Sequence, residues 1–184
     1  MEQVILVDEQ DRALGASEKL AAHVAGSLHR AFSIFVFNSA GQLLLQRRAS
    51  GKYHSGGLWS NTCCGHPRPD EPTAAAARRR LREEMNFECE LSAAFEFIYR
   101  AELANKLVEH EYDHVFVGEF DGAFTPETSE VEDWKWATPA ELRRALCERP
   151  EEYTYWLRVV LETEGWARVE AEYGAGRGAP PDAG

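Results

Sequence analysis

Residues 61–67 read Asn-Thr-Cys-Cys-Gly-His-Pro, which sets two of the chain's 4 cysteines side by side just ahead of a histidine. Neighbouring cysteines rarely bond one another, because a disulfide needs its Cβ atoms face to face at a set separation. The pair is therefore a metal knuckle, a reactive thiol beside a bystander, or the buried end of a strand. A second stretch, Val108-Glu109-His110-Glu111-Tyr112, reads as a strand, so Glu109 and Glu111 project to one face and His110 and Tyr112 to the other. Two adjacent carboxylates repel unless a cation or a shared proton holds them; the alternative is an exposed edge whose acids are solvated. His23, His29 and His66 precede this strand. Imidazole with carboxylate suits Mn, Fe or Zn rather than Ca. His23 and His29 are six apart and cannot share a face of one regular helix, so a bend must bring them together. On that reading His54, His110 and His114 are ordinary residues.

Positive charge gathers around the same segments: Lys19, Arg47, Arg48 and Lys52 before the 61–67 stretch, and Arg78, Arg79 and Arg80 after it. An acidic protein that binds an anion must concentrate cations locally, and Arg matches phosphate oxygens in pairs. Scattered solubilising charge accounts for some of these residues equally well.

The elements that must position these groups are legible in outline. Val4–Asp8 reads as a strand and Glu18–Ala25 as a short helix. Phe32–Phe37 and Leu43–Gln46 flank Asn38-Ser39-Ala40-Gly41, the signature of a β-hairpin. Gly51–Gly57 reads as a mobile glycine-rich loop. Thr73–Met85, rich in Ala, Arg and Glu behind a proline, predicts a helix with Thr73 as its cap. Phe95–Ala101, Val108–Phe120 and Trp134–Ala137 read as strands. Thr138-Pro139 opens a helix to about Cys147, and Glu151–Glu164 reads as one further helix. Residues 1–173 are read as one domain, and the Gly/Pro-rich end, 174–184, as a disordered tail. Strands and helices mix without strict βαβ alternation, which predicts an α/β fold with a mixed sheet between helices rather than a Rossmann sheet.

Bulk composition narrows the function. The chain has 184 residues, 44% of them hydrophobic, enough for a sizeable core. With 31 acidic and 20 basic residues the net charge is −11, which argues against nucleic acid and anionic membrane as partners. The start, MEQVILVDEQDRALG, has acids where a secretory leader needs bases, and no apolar run reaches the roughly 20 residues of a membrane span. The cysteines (63, 64, 89 and 147) lack framework spacing and read as reduced thiols of a cytoplasmic protein.

Two resemblances follow. From Gly65 the chain has Glu71, Arg79, Leu81, Glu83, Glu84 and Phe87 at the spacing of the Nudix signature, a loop–helix–loop whose carboxylates hold Mg²⁺ on a diphosphate. The glutamate that follows the signature arginine is Arg80 here, and the late glycine is Asn86. Hydrolysis in that superfamily leans on the first of these, so the match implies a diphosphate-binding fold without the hydrolase. An ordinary charged helix with Arg79 and Glu83 paired at i,i+4 explains the same residues.

The run His29-Arg30-Ala31-Phe32-Ser33, the strand Leu43-Leu44-Leu45-Gln46-Arg47-Arg48, Trp59-Ser60 with the 61–67 stretch, and Glu109-His110-Glu111 together resemble the type 1 isopentenyl-diphosphate isomerases, from about Val4 to Trp156. The resemblance implies a Nudix-like fold and interconversion of isopentenyl and dimethylallyl diphosphate by a 1,3-allylic proton shift in isoprenoid biosynthesis. It implies Cys64 and Glu111 as the facing acid–base groups, and Tyr99 bonded to the carboxylate. The metal shell would be His23, His29, His66, Glu109 and Glu111, holding one divalent ion (Mn, Zn or Mg). Glu84 would hold Mg²⁺ on the diphosphate, Lys19, Arg48, Lys52 and Arg80 would bind its oxygens, and Trp156 would lie over the allyl group. The implied partner is a small isoprenoid diphosphate, with no nucleic acid and no membrane insertion, on a monomer or homodimer. The competing readings are a Nudix-type diphosphate hydrolase and a non-enzymatic metal- or isoprenoid-diphosphate-binding protein.

Overall fold

The computed structural model describes residues 2–52, 54–103 and 106–176. Its axis is the strand His29–Phe37. Counting in chain order, the strands are β1 (Gln3–Val7), β2 (Ala13–Glu18), β3 (His29–Phe37), β4 (Leu43–Arg48), β5 (Trp59–Ser60), β6 (Cys63–Gly65), β7 (Leu91–Glu102), β8 (Val108–Glu119) and β9 (Val131–Ala137). Nearly every residue of β3 is buried, as expected of a strand covered on both faces. It runs parallel to β8, from His29 opposite Glu111 to Phe37 opposite Glu119. It runs antiparallel to β1, β6 and, through the 38–42 hairpin, β4. β7 flanks β8 and β9 flanks β4. The sheet is mixed, as predicted.

The pleat of β3 sorts the core into two. Phe32, Ile34 and Val36 pack with Leu81 and Met85 of α2 (Thr73–Met85). Phe35 and Phe37 face the other way, toward Leu142 of α3 (Pro139–Glu148), Leu157 of α4 (Tyr155–Leu161) and Trp166 of α5 (Glu164–Tyr173). A fifth helix in space, α1 (Lys19–Ala25), closes one end of the sheet. No helix among the described residues is long and apolar enough to cross a membrane.

Several elements differ from expectation. The 61–67 stretch contains a short strand, β6, with Cys63 opposite Ile34 and Cys64 opposite Ser33. Three residues carry no readable period; their pairing with β3 imposes the strand. The cap of α2 is Pro72, in extended conformation, and Thr73 is the first helical residue. The helix expected over Glu151–Glu164 is instead a 3-10 turn at Pro150–Glu152, then α4, then α5. Thr163 breaks the run because its hydroxyl accepts the Trp166 N–H and caps α5. That change of direction lets Leu157 and Trp166 reach the same core. The strand β2, mostly exposed, has no apolar alternation to announce it. Of the Gly/Pro-rich end, Gly174–Gly176 turn back onto the hairpin, where Gly41, at φ +72, leaves no room for a Cβ beside the Gly176 backbone. The rest of that segment lies outside the described residues, as does Tyr53 of the 51–57 loop.

α2 is braced to the loop before it. Arg79 donates Nε to Glu71 Oε1 at 2.7 Å and Nη2 to Oε2 at 2.8 Å, and also reaches Glu83 at 3.1 Å. The expected Arg79–Glu83 pair exists, but the two-pronged bond to Glu71 is the better-formed one.

Trp166 is fully buried, its ring 4.8 Å from that of Phe35. Trp166→Ala should cost about 3–5 kcal/mol and lower the melting temperature by roughly 10 °C; an unchanged calorimetric midpoint would contradict its place in the core. Arg79 holds the Glu71 carboxyl at about 2, below the ordinary 4.5, despite some opposing burial. A carboxyl depressed in the fold stabilises it above its unfolded value, and the contribution drains away as pH falls toward the folded one. Acid unfolding followed by circular dichroism should therefore show Glu71→Gln losing stability less steeply than wild type between about pH 4.5 and 2; superimposable acid limbs would exclude the brace.

Candidate active site and metal centre

Alternation within strands decides which side chains meet. His29 on β3, Glu111 on β8 and Tyr99 on β7 stand in one row across three strands. Cys64 stands opposite Ser33, two residue pairs along the same face. Cys63 therefore points to the other face and lies fully buried against Ile34, Leu81 and Met85. Of the three readings of the adjacent cysteines, the strand end accounts for Cys63 and leaves Cys64 facing the site.

The predicted bend between His23 and His29 is made by Gly26, in the left-handed region at φ 63, which caps α1 and turns the chain toward β3. The two rings come within 4.8 Å, and the His66 ring lies 5.0 Å from His29. His23 Nδ1 bonds the Lys19 carbonyl at 2.7 Å and His29 Nδ1 bonds the Ser27 carbonyl at 2.8 Å. A carbonyl only accepts, so each Nδ1 carries the hydrogen and each Nε2 presents a lone pair. His66 Nε2 and His29 Nε2 lie 2.9 and 3.5 Å from Glu111 Oε1. The buried His66 Nδ1 has no hydrogen bond among the described residues.

The donor atoms of His23, His29, His66 and Glu111 all lie within 4.8 Å of one another; those of His23, His54 and Glu109 form a second such group. Three imidazoles converging on a buried carboxylate fit a divalent ion of borderline softness. Glu109 thus joins the centre beside His54 and His23 rather than within the tighter four-residue group.

The carboxylates of β8 share a face and have opposite electrostatics. Burial raises Glu111, but the neighbouring His29 and His66 imidazoles outweigh it and pull the group well below the ordinary carboxylate range. Tyr99 O–H adds a bond to its Oε2 at 2.6 Å and stands 3.3 Å from Glu109 Oε2. Glu109 goes the other way: burial and then the Glu111 charge drive it well above that range, with Arg48 only partly offsetting them. Asp113, next on the face, is pushed to about 8 by burial and by Glu111, although Ser33 O–H donates to it at 2.7 Å. Burial draws His66 down to about 4 against the pull of Glu111. His54 falls to about 3, through burial and then the neighbouring Arg48.

Cys64, Tyr99, Glu109, Glu111 and Trp156 line one cavity of about 410 Å³. The Trp156 indole N–H donates to Ser60 Oγ at 2.9 Å and to Asn61 Oδ1 at 3.1 Å, which holds its ring against the segment just ahead of the strand that carries Cys64. Arg48 lies over that ring, 5.2 Å from its centroid, with Nη1 3.9 Å from the Cys64 sulfur. Burial pushes the thiol up to about 12 in spite of Arg48. The cavity continues to Lys19, Lys52, Arg80 and Glu84. Arg80 pairs with Glu83 at 2.7 Å, with Glu84, and with Glu130 at 3.1 Å, while Gln46 donates to Glu84 at 2.8 Å. Lys52 pairs with Glu130, and Lys19 with Glu2 at 3.2 Å. His23 and His29 lie behind the cavity wall, fully buried.

Every expected site residue is therefore in or directly behind one cavity. Sequence reasoning missed three partners: Glu130, which bridges two of the cations; Gln46, which orients Glu84; and His54, read as ordinary, whose Nδ1 is 3.7 Å from Glu109 Oε1. His110 and His114 are turned away, toward the Gly26 carbonyl and toward Asp11 and Glu96. Only a signal marking His54's loop as facing β8 would have found it, and the local sequence has none.

A model of the NUDIX domain matches residues 27–158. The chain is 59% identical over 161 residues to isopentenyl-diphosphate Delta-isomerase 1 of Aromatoleum aromaticum, covering 88% of this chain and 91% of that protein. It is 54% identical to the isopentenyl-diphosphate Delta-isomerase of Burkholderia multivorans, over 89% of this chain and 93% of that one. Among solved structures, DR0079 from Deinococcus radiodurans superposes with a TM-score of 0.65 at 21% identity, over 80% of this chain and 90% of that one. The MutT protein from Methanosarcina mazei gives 0.60 at 18%, over 79% and 94%. These two likenesses speak to the fold. The converging histidines, the paired carboxylates and the close kinship over nearly the full chain lead to one conclusion: this protein belongs to the isopentenyl-diphosphate Delta-isomerase family, built on a NUDIX domain.

Proposed function

We propose that this chain interconverts isopentenyl and dimethylallyl diphosphate, with Cys64 and Glu111 as the two proton-handling groups. The reaction adds a proton at the terminal methylene, leaves a tertiary cation, and removes a proton from the methylene next to the diphosphate-bearing carbon. It therefore needs one proton to give and one empty place to receive. The observation that carries the reading is that Cys64 and Glu111 line the same cavity with opposite tendencies: burial raises the thiol to about 12, which favours S–H, and the neighbouring histidines draw the carboxyl down, which favours its anion. Tyr99 O–H steadies the carboxylate on one oxygen while the histidines engage the other.

The cation between the two proton transfers must be stabilised and kept from water. The Trp156 ring supports the first task, since an aromatic face attracts a desolvated cation by about 2 kcal/mol. The burial of Glu109, Glu111 and Trp156 in the cavity wall supports the second. Lys19, Arg48, Lys52 and Arg80 are the residues for the diphosphate oxygens, with Glu84 as a carboxylate for its Mg²⁺. His23, His29, His66, Glu109 and Glu111 would hold a divalent Mn, Zn or Mg ion, which when bound supplies positive charge that tunes the acidity of Glu111. A cytoplasmic, reducing setting suits the four free cysteines.

Hydrolysis is the second reading, and Arg80 weighs against it. A guanidinium stands where the hydrolase signature has a glutamate, and it is already bound to Glu83, Glu84 and Glu130.

Incubation with isopentenyl diphosphate should yield dimethylallyl diphosphate and no free phosphate; phosphate release without allylic product would overturn the isomerase reading in favour of the hydrolase. Cys64→Ala should lose at least about 10²–10⁴-fold in turnover, the usual weight of a proton-transferring group, while inorganic diphosphate binds as before. Cys63→Ala, on the far face of β6, should keep most of its turnover. Near-wild-type rates in Cys64→Ala would remove the thiol from the mechanism.

A further inference from the structure

His54 sits on the loop between β4 and β5, away in sequence from the histidines of α1, β3 and β6. We propose that it is a further ligand of the metal centre, completing six protein donors. The inference rests on the reading of that centre as a metal site. Two ligands of one ion, each about 2.1 Å from it, stand about 3 Å apart when adjacent and about 4 Å apart when opposite. His54 Nδ1 and Glu109 Oε1 are 3.7 Å apart, in the same interval as His29 Nε2 and Glu111 Oε1 at 3.5 Å. The His54 ring is 6.0 Å from that of His23, and its side chain is 10% exposed.

His23 belongs to both groups of converging donors. Its Nδ1 bonds the Lys19 carbonyl, so Nε2 is the atom it would offer a metal, and one atom binds one ion. On the proposal the two groups, which share His23, are parts of one centre. Its donors are His23, His29, His54, His66, Glu109 and Glu111. A six-donor shell would leave no coordination position for water beside the cavity in which the proposed cation is generated. The loop that brings His54 also carries Lys52, whose ammonium pairs with Glu130 in the same cavity. Its ends are tied by Lys52 N–H to the Ala49 carbonyl at 3.1 Å and Gly57 N–H to the Arg48 carbonyl at 2.9 Å. One loop thus joins the anion-binding end of the cavity to the metal centre.

The test is titration of the metal-stripped full chain with Co²⁺ against a competing chelator, with visible and near-ultraviolet absorption as a second readout. His54→Gln should bind Co²⁺ about tenfold or more weakly, with stronger visible bands as the coordination number falls. His114→Gln, whose ring faces Asp11 and Glu96, should bind as wild type does. His54→Cys should gain a sulfur-to-cobalt charge-transfer band absent from wild type, a positive signal that a merely structural role would not produce. Wild-type affinity and spectrum in His54→Gln, with no new band in His54→Cys, would overturn the proposal. Failure of the wild-type chain itself to bind Co²⁺ would overturn the metal reading and this proposal with it.

Discussion

A carboxylate charge held inside the protein governs the arrangement of everything around it. Glu111 is 7% exposed, and an isolated charge at that depth would neutralise itself. Here it keeps its charge because three directions converge on it: His29 from the parallel neighbour β3, Tyr99 from the antiparallel neighbour β7, and His66 from the end of β6. Each partner needs a different strand in register. A one-residue slip of β8 would turn Glu111 into the opposite core, against α2, where none of these groups waits. The register of the sheet and the ionisation of Glu111 are thus the same fact seen at two scales.

The neighbouring acids show what that support is worth. Glu109 and Asp113 share the face of Glu111 and are comparably buried, yet both are pushed up in pKa. They lack its pair of imidazoles, and each feels its negative charge. One ionised carboxylate between two reluctant ones is a graded environment, set by which hydrogen-bond donors reach which oxygen. Opposite it, the thiol of Cys64 is raised by burial while Arg48 leans against the rise. Burial thus favours the protonated thiol, while the histidines around Glu111 favour its anion.

Much of this was legible in the chain. Alternation along Val108–Tyr112 placed both glutamates on one face, and α2 begins at Thr73 and ends at Met85 as read. The six-residue gap between His23 and His29 demanded a bend, which Gly26 supplies. The features that escaped reading share a cause: their structure is imposed from elsewhere. β6 is too short to carry a period and becomes a strand only by pairing with β3. Thr163 reads as one more helical residue until the core draws Trp166 beneath the sheet. His54 and Glu130 lie in loops, and the sequence of a loop does not say which way a side chain points; the turns tied at Arg48, Ala49 and Glu130 decide that.

Residue 80 carries the remaining step from fold to chemistry. On α2 a carboxylate at this position would stand beside Glu83 and Glu84 and near Glu130, a cluster that only bound cations could hold together. Arg80 replaces one negative member of that cluster with a positive one that bonds all three others. The helix keeps a carboxylate, Glu84, steadied by Gln46, but it no longer has the density of charge that would gather several metal ions and ionise a water for attack on phosphorus. In the proposed reaction this end anchors the diphosphate, and the proton-handling groups are those around Cys64 and Glu111 on the other face of β6. The pleat of β6 sends its two cysteines to opposite faces: Cys63 packs with α2, and Cys64 lines the cavity that also holds Glu111.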